Sequence, residues 1–578
     1  MEEGVINEVK DLNRILLKEQ ISWHDFEKVL RTKEKLIRIL IASLNSQYAK
    51  PLNELLGLIT DLFNHKLDEK FAEEHGIELD KLKKAKSIPW ERKMFHWVFE
   101  FPEVFLGNKN GFDVVIGNPP YGRLKQIIED KSEKYFLSDV YSNLYNYQVG
   151  NLNLYKLFLE RAYNILKTNG YFSMIFPSSF LGENDSKELR KLFFDHARIT
   201  KILEFPERTR VFEGNTQAVC ILFYGKGKQD DYQIKIKTNI SRDEKNNLTS
   251  LDFLSVKKSE LKELIGDDYR IPLFSNPKVE WEILKHISKY PPFKGDGKIS
   301  PVGEVGVGHI DETFDKEFMS DEPGDDLLIK GIHLDRYFVN LDPDGPKPRW
   351  IVNKEKFFEK KPAAKNVVFQ ARLMWKRSVN RNIKYRLQFG YIKKSLVMTN
   401  TVCYVIPNSN LDYGYLLSIL NSSVLLWRFK ITSYNNDIRI YQIESLPIPR
   451  IPKEEQKPFI ILAKYMLFLK QYQNYFARED KHLQYIIDYF DNLIDCLVYE
   501  LYLGDVVKIP IRQFVEDKLV DIDLPENLLE IEENERKETL QKIEKVFNEL
   551  ENDKKLNENL YLIKLHPWVK TIYEALGR

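Results

Sequence analysis

The sequence predicts an α/β protein of several domains, with helical regions at both ends. Strands and helices alternate between residues 91 and 228, which is typical of a doubly wound sheet. Leucine and isoleucine recur at three- and four-residue spacing near both ends of the chain, as on amphipathic helices. Between residues 281 and 452, short β-like runs are separated by Pro, Gly, Asn and Tyr, and they predict a mixed α/β module.

These changes in texture define five segments. In chain order we expect a helical region at 1–90, the sheet-bearing part at 91–228, a charged linker region at 229–280, the mixed α/β module at 281–452 and a helical region at 453–578. Within the second segment, strands are predicted for FDVVIG, YFSMIFP, ITKILEF and QAVCILFYGK. Helices are predicted for NLYKLFLERAYNILKTNG, closed by Gly170 as a C-cap, and for SKELRKLFFDHA.

The composition indicates a globular protein of the cytoplasm. The 578 residues are 43% apolar and 30% charged, and the formal net charge is +1. A nucleic-acid surface must therefore be local and balanced by acidic regions elsewhere. The three cysteines have no paired spacing and lie in apolar runs, so we expect buried thiols. We expect no membrane span, no signal peptide and no metal site, because neither apolar runs nor ligand spacings of the required kind occur.

One short motif suggests a chemistry. The strand FDVVIG runs directly into Asn118, Pro119, Pro120 and Tyr121. An exocyclic aromatic amine is a poor nucleophile because its lone pair is delocalised. Two acceptors on its N–H bonds favour the nucleophilic geometry. The Asn118 side-chain oxygen and the Pro119 carbonyl can supply them, and the Tyr121 ring can stack on the base. The loop fits a site for a flipped purine; a plain Pro-Pro turn that ends a strand is the structural alternative.

The surrounding motifs resemble the TaqI-like class of adenine-N6 DNA methyltransferases found in type IIG and related restriction-modification enzymes. NLYKLFLERAYNILKTNGYFSMIFPSSFL at Asn153–Leu181 and RVFEGNTQAVCILFY at Arg210–Tyr224 are similar to later motifs of that class, in the same order. The resemblance implies a partial Rossmann-like S-adenosylmethionine (SAM) methyltransferase sheet. It also implies that Phe212 packs on the other face of the flipped base, and that Phe158 and Asn118 contribute to the SAM site. Core positions are the alternative for both phenylalanines.

The second half resembles the TaqI-like target-recognition domain, which reads DNA sequence. The residues that carry this are ISPVGEVGVGHIDETFDKEF, LLIKGIHLDRYFV, NVVFQARLMWKRSVN and YLLSILNSSVLLWRFK. Within it, basic and amide side chains are candidate DNA contacts, because cations neutralise phosphates and amides read base edges. A solvated basic loop or a turn is the alternative for each. The candidates are Arg372, Lys376, Arg377, Arg381, Lys384, Tyr434, Asn435, Asn436 and Arg439. Lys125, which follows the catalytic loop, is a further candidate for a flanking phosphate.

One expected motif is missing. The class has a glycine-rich loop that holds SAM, placed before the Asn-Pro-Pro-Tyr motif, but the glycines before residue 111 are isolated at Gly4, Gly57, Gly76 and Gly107. The GEVGVGH run lies in the recognition module and opens no helix. We therefore expect either a split enzyme, whose second subunit carries the SAM-binding half and contacts residues 1–90, or a truncated piece of a longer enzyme. The split enzyme is the favoured interpretation.

The hypothesis from sequence is an adenine-specific, SAM-dependent DNA methyltransferase subunit of a restriction-modification or phage-defence system that acts on double-stranded DNA. The alternative is a non-catalytic recognition or scaffold subunit of such a complex. A third possibility is methylation of a protein glutamine, because the same tetrapeptide serves that reaction; the large recognition module favours DNA. An associated nuclease has little support, since Asp344 with Glu359, Lys360 and Lys361 matches only the letters of a nuclease motif.

Overall fold

The computed structural model describes residues 97, 101–105, 110–122, 145–147, 153–214, 217–380, 383–393, 395–408, 410–476 and 482–577. The chain divides into two compact units. The smaller takes the described residues of Met1–Val115 and Arg161–Phe172, and the larger those of Ile116–Glu160 and Ser173–Arg578. The predicted helical region at 1–90 lies outside the described residues.

The first half of the described chain alternates strands and helices, as predicted. Its strands are β1 (Phe112–Gly117), β2 (Leu166–Pro177), β3 (Ala197–Phe205), β4 (Val219–Lys226), β5 (Gln233–Lys237) and β6 (Leu254–Lys257). Its helices are α1 (Pro102–Phe105), α2 (Leu154–Ile165), α3 (Lys187–His196), α4 (Arg242–Lys245), α5 (Lys258–Ile265) and α6 (Pro277–Ile287). The α/β class predicted from the sequence is confirmed.

These six strands form one mixed sheet in the order β1-β2-β4-β3-β5-β6. Strand β3 is antiparallel to β4 and parallel to β5, and β5 is antiparallel to β6. An apolar cluster at the ends of these strands contains Leu203, Phe205, Val219, Ile240 and Leu251. We call it the strand-end cluster, because the candidate active site lies against it.

The segment at 229–280 is not a linker, contrary to the prediction. Strand β5 pairs with β3 and β6 pairs with β5, so both belong to the sheet. In β5 the side chains of Ile234 and Ile236 are buried, whereas Gln233 and Lys235 are exposed. This alternation is the signal of a half-buried strand. The high charge of the segment concealed that signal in the sequence.

Helix α2 is shorter than predicted. It ends at Ile165, and β2 begins at Leu166, so Gly170 lies in a strand rather than at a helix C-cap. Gly170 is required for a different reason: a Cβ there would lie 2.9 Å from the Phe112 carbonyl oxygen. The glycine allows β1 and β2 to approach each other closely.

The second half of the described chain begins with a mixed module, again as predicted. Its strands are β7 (Gly303–Val307), β8 (Met319–Ser320), β9 (Asp326–Ile329), β10 (Leu334–Asp335), β11 (Phe338–Val339), β12 (Trp350–Ile351), β13 (Arg372–Lys376), β14 (Phe389–Ile392), β15 (Val397–Met398) and β16 (Val402–Pro407). They form two four-stranded sheets, β15-β9-β12-β8 and β14-β13-β16-β7, and a two-stranded sheet, β10-β11. We call the β14-β13-β16-β7 sheet the recognition sheet.

Helices fill the rest of the chain. They are α7 (Lys354–Lys360), α8 (Pro362–Val368), α9 (Tyr413–Leu420), α10 (Ser423–Lys430), α11 (Ile440–Glu444), α12 (Lys453–Phe476), α13 (Leu483–Val507), α14 (Glu533–Glu551), α15 (Lys554–Leu565) and α16 (Pro567–Leu576). The first residues of the NVVFQARLMW run, expected as a strand, end α8 instead. All three cysteines are buried free thiols, as predicted. Within the described ranges, no helix combines the length and apolarity that crossing a membrane requires.

Candidate active site and nucleic-acid interface

The Asn-Pro-Pro-Tyr motif lies in an irregular loop directly after β1. The strand ends at Gly117, and Asn118 and Pro120 are exposed while Pro119 is buried. The Gly122 carbonyl oxygen accepts a 3.0 Å hydrogen bond from the Leu154 N–H at the start of α2. The loop is therefore fixed on both sides, by the strand and by the helix, and it presents the amide of Asn118 to solvent.

Tyr121 anchors this loop to the sheet. Its hydroxyl donates a 3.3 Å hydrogen bond to the Ile175 carbonyl oxygen, and its ring packs against the strand-end cluster. Burial, together with the nearby Cys220 thiol, raises the pKa of Tyr121 to about 12. The side chain is therefore a neutral phenol at physiological pH. Its ring is held in place by this packing and by the hydrogen bond of its hydroxyl.

The loop that carries Phe212 approaches the same cluster. Phe212 is partly buried, and its neighbour Val211 packs against the strand-end cluster, as Tyr121 does. Arg210 holds a left-handed conformation with φ of 49°, and its carbonyl oxygen accepts a 3.2 Å hydrogen bond from Lys245 Nζ. The structure thus brings the two predicted base-stacking segments to one apolar cluster at the strand ends.

Phe158 is not a core residue of its helix. It is 47% exposed on α2, whereas its neighbours Leu157 and Leu159 are buried. The sequence alone had left open whether Phe158 belongs to the core or to the SAM site. An aromatic side chain of this exposure is available to stack on the adenine ring of a cofactor.

Sequence reasoning missed the polar loop that follows β2, at residues 178–186. The buried Lys156 of α2 donates a 2.9 Å hydrogen bond to the Asp185 carbonyl oxygen. Burial lowers the pKa of Lys156 to about 8, against the opposing effect of Asp185 and Glu183. Glu183 accepts a 3.0 Å hydrogen bond from Asn435 Nδ2, and burial raises the pKa of its carboxyl. Nothing in the sequence distinguishes these residues from surface charges.

One edge of the recognition sheet gathers several loops. Val402 pairs with Lys376, and Cys403 pairs with Val307, so β13 and β7 end where β16 begins. The loops beyond these three positions therefore leave from the same edge. A fourth loop joins them, because Ile438 N donates to the Arg377 carbonyl oxygen at 2.8 Å. We call this edge, with loops 308–315, 377–380, 399–401 and 434–439, the reading edge.

Several predicted DNA contacts lie at or near this edge and reach solvent. Lys384, Asn436 and Arg439 are exposed, and Lys376 and Arg377 are partly exposed. The guanidinium of Arg377 donates a 3.2 Å hydrogen bond to the Asn400 carbonyl oxygen. Arg439 pairs with Asp437 at 2.7 Å. The structure thus places separate basic segments of the sequence on one side of the module.

Two predicted DNA contacts are buried, and for these the structure corrects the prediction. Arg372 is fully buried, and its guanidinium donates to the carbonyl oxygens of Val368, Gln370 and Leu396. The Tyr434 side chain is also buried, and its hydroxyl donates to the Ile271 carbonyl oxygen. Both residues donate hydrogen bonds to backbone carbonyl groups inside the protein. The residue type alone does not show this in a sequence.

Asn435 has a partner within the protein. Its side chain donates to Glu183, and its carbonyl oxygen accepts from Arg386. Asn435 therefore links Glu183 and Arg386 through hydrogen bonds. Lys125 and Arg381 lie outside the described residues.

Two segments of the chain are similar to known protein families. Residues 25–212 match the family of the Eco57I restriction-modification methylase. Residues 324–452 match the TaqI-like C-terminal specificity domain. The resemblance to TaqI-like restriction-modification methylases is confirmed by these matches, one to a methylase family and one to a specificity domain.

Among curated proteins, the type II restriction enzyme and methyltransferase RM.Eco57I of Escherichia coli is 32% identical over 143 residues, which are 24% of this chain and 14% of that protein. The putative type II restriction enzyme and methyltransferase RM.MjaORFECS2P of Methanocaldococcus jannaschii is 25% identical over 430 residues, 72% of this chain and 33% of that protein. The type II methyltransferase M.HincII of Haemophilus influenzae is 32% identical over 181 residues, 31% of this chain and 32% of that protein. The chain thus spans a third or less of each.

Among solved structures, the type IIL restriction-modification enzyme MmeI, determined in complex with DNA, aligns with 83% of this chain. The alignment covers 59% of the MmeI chain at 12% identity and a TM-score of 0.39.

Proposed function

We propose that this chain is the catalytic and specificity subunit of an adenine-N6 DNA methyltransferase that uses SAM and serves a cytoplasmic restriction-modification or phage-defence system. The observation that carries the proposal is the Asn118–Tyr121 loop, which exposes an amide beside an aromatic ring anchored at the strand ends. The match to the Eco57I methylase family over residues 25–212 supports the methyl-transfer part. The match to the TaqI-like specificity domain supports the DNA-reading part.

The chain's own residues would act on a flipped adenine. Asn118 Oδ1 and the Pro119 carbonyl oxygen would accept hydrogen bonds from the exocyclic amine and draw its lone pair out of conjugation. The Tyr121 ring would hold one face of the base, and Phe212 the other. SAM supplies the methyl group when it is bound, and Phe158, exposed on α2, would stack on its adenine. The reading edge would place the target sequence by contacts from Lys376, Arg377, Lys384, Asn436 and Arg439.

Substitution of Asn118 by Ala is the direct test of this mechanism. Asn118 is exposed, so the variant should fold normally. We expect labelled methyl transfer from SAM to DNA to fall by at least about a hundredfold, with a loss of the magnitude seen when one transition-state hydrogen-bond donor or acceptor is removed, and duplex binding to be unchanged. An active Asn118→Ala variant would contradict the mechanism. A wild-type complex that binds DNA and transfers no methyl group would favour a recognition or scaffold role.

We also propose that the glycine-rich loop for SAM comes from protein sequence other than these 578 residues, in a second subunit. The support is the spacing of Gly4, Gly57, Gly76 and Gly107, none of which forms a glycine-rich turn. SAM binding by the purified chain, measured by calorimetry, should be weak and should rise when a co-purifying partner from the host is added. Tight SAM binding by the chain alone would overturn this part of the proposal.

A further inference from the structure

A phenylalanine projects from the reading edge. Phe314 is 82% exposed, in the loop that follows β7. This loop lies before residue 324, where the match to the specificity domain begins. Exposing a whole aromatic ring to water is unfavourable, and the loop offers the ring no apolar surroundings. A ring held in this way is free to contact a partner.

The loop holds Phe314 through a local set of hydrogen bonds. Asp311 Oδ1 accepts from the N–H groups of Thr313 at 2.8 Å and Phe314 at 3.2 Å. Asp315 N donates to the Asp311 carbonyl oxygen at 2.8 Å, and Asp315 Oδ2 accepts from Asp311 N at 2.8 Å. The Asp315 carboxylate also pairs with Lys361. The backbone beneath Phe314 is therefore fixed, so little conformational entropy is lost when the ring binds.

Asn400 connects this loop to a basic residue of the reading edge. Its side chain donates a 2.9 Å hydrogen bond to Asp311 Oδ2, and its N–H donates to the Ile310 carbonyl oxygen at 2.6 Å. Its own carbonyl oxygen accepts from the Arg377 guanidinium at 3.2 Å. The loops that carry Phe314 and Arg377 are thus both hydrogen-bonded to Asn400. The carbonyl oxygen carries no net charge and does not neutralise the Arg377 guanidinium. The positive charge therefore remains available to a phosphate.

Two of the three acidic side chains in the loop at 308–315 are paired with lysines, and the third, Asp311, accepts hydrogen bonds from uncharged N–H groups. Glu312 lies 3.0 Å from Lys330, and Asp315 pairs with Lys361. Asp437, on the neighbouring loop, pairs with Arg439. The carboxylates near the ring are therefore partly neutralised, which lowers the electrostatic cost of bringing a phosphate backbone close. An aromatic ring and a cation on the same edge form a combination that can contact nucleic acid through both bases and phosphates.

We propose that Phe314 is an aromatic contact to duplex DNA, packing its ring against a base or sugar next to the phosphate held by Arg377. The proposal rests on the proposed function, since it takes the reading edge as the DNA-facing side. It adds a residue outside the matched specificity domain, and an apolar contact to a surface otherwise made of polar and basic ones.

The test compares three variants on one probe, a short duplex recovered from a random pool by selection on the wild-type protein. Phe314→Ala should weaken binding by about fivefold or more, the loss typical of a stacked aromatic. The dependence of log K on log salt should keep its slope, because no phosphate contact is lost. Arg377→Ala should reduce that slope by about one. Phe369→Ala is the matched control: Phe369 is 58% exposed and precedes β13 at the opposite end of that strand.

A second measurement reports the ring itself. In a Phe314→Trp variant, the added indole fluorescence, obtained by difference from the wild type, should be quenched when the same duplex is bound. Unchanged affinity of Phe314→Ala, or an unquenched indole in the bound state, would overturn the proposal while leaving the methyltransferase proposal intact. Failure of the wild-type protein to bind any duplex would overturn both. Methyl transfer that is lost in Asn118→Ala but unaffected by Phe314→Ala at saturating DNA is consistent with both.

Discussion

The side-chain amide of Asn435 donates a 3.0 Å hydrogen bond to the carboxylate of Glu183. These two residues lie 252 positions apart in the sequence, one on the reading edge and the other on the loop after β2. The neighbouring residues Gly182 and Tyr434 are also in close contact. A Cβ added to Gly182 would lie 1.6 Å from the Tyr434 ring. The loop after β2 and the loop between α10 and α11 are therefore closely packed at Gly182.

The Asn435–Glu183 hydrogen bond should be worth a measurable free energy of coupling. The Glu183 side chain is partly buried, and a hydrogen bond to a charged group contributes about 1.5–3 kcal/mol. We expect Asn435→Ala to lower the free energy of unfolding by about that amount. Urea unfolding of Asn435→Ala, Glu183→Gln and the double variant would give the coupling energy from a double-mutant cycle. Strictly additive effects would show that the contact does not join the two loops energetically.

Two substitutions at Tyr121 should separate its hydroxyl from its ring. Tyr121→Phe removes the hydrogen bond to the Ile175 carbonyl oxygen and should cost about 0.5–1.5 kcal/mol of stability. Because it keeps the ring, we expect it to retain most methyl transfer. Tyr121→Ala removes the stacking surface and should reduce methyl transfer by about tenfold or more. Thermal unfolding and labelled methyl transfer measure the two effects, and equal activity losses in both variants would count against the stacking role.

Arg372 and Arg377 are five positions apart and should respond to Ala substitution in opposite ways. Arg372→Ala would leave two buried carbonyl groups and one partly buried one without their donor, so we expect a loss of at least about 3 kcal/mol in unfolding free energy. Arg377→Ala should change stability by less than about 0.5 kcal/mol and weaken DNA binding. Chemical denaturation together with DNA titration tests both. A stable Arg372→Ala variant that has lost DNA affinity would restore Arg372 as a DNA contact.

Lys156 should make the stability depend on pH in the alkaline range. Its pKa in the folded protein is about 8, below the ordinary value of 10.5. Between these values the unfolded chain keeps a proton that the folded chain has lost, so unfolding free energy rises with pH across that window. Relative to a Lys156→Met variant, the wild type should gain stability from about pH 8 upwards, by at most about 1.4 kcal/mol per pH unit.

Urea unfolding at about pH 7.5 and about pH 9.5 would measure this gain. The exposed Lys278 serves as the control, since Lys278→Met should follow the wild type at both pH values. A difference between the wild type and Lys156→Met that does not change with pH would show that Lys156 keeps an ordinary pKa.

The sequence predicted the helices, strands and buried residues that depend on the local order of apolar residues. It did not predict the burial of side chains that depends on contacts between distant parts of the chain. The strand before Asn118, the helices after the recognition module and the buried cysteines all follow from apolar spacing. Strand β5 was missed, although Ile234 and Ile236 alternate with polar residues, because charged neighbours outweighed the pattern. Arg372 and Tyr434 carry the letters of DNA-binding residues, but their burial is decided by backbone carbonyl groups that the fold brings to them.

On the proposed function, the pairing of β7 also limits how the target sequence can be changed. Strand β7 lies upstream of residue 324, where the match to the specificity domain begins. All five of its residues nevertheless pair with β16, an inner strand of the recognition sheet. A recombination event that exchanged only residues 324–452 would join a donor β16 to a resident β7. The original Phe314 loop would then pack against donor residues at the positions of Asn400 and Arg377. On the proposed function, a segment exchanged to change specificity would therefore have to begin before Gly303, between α6 and β7.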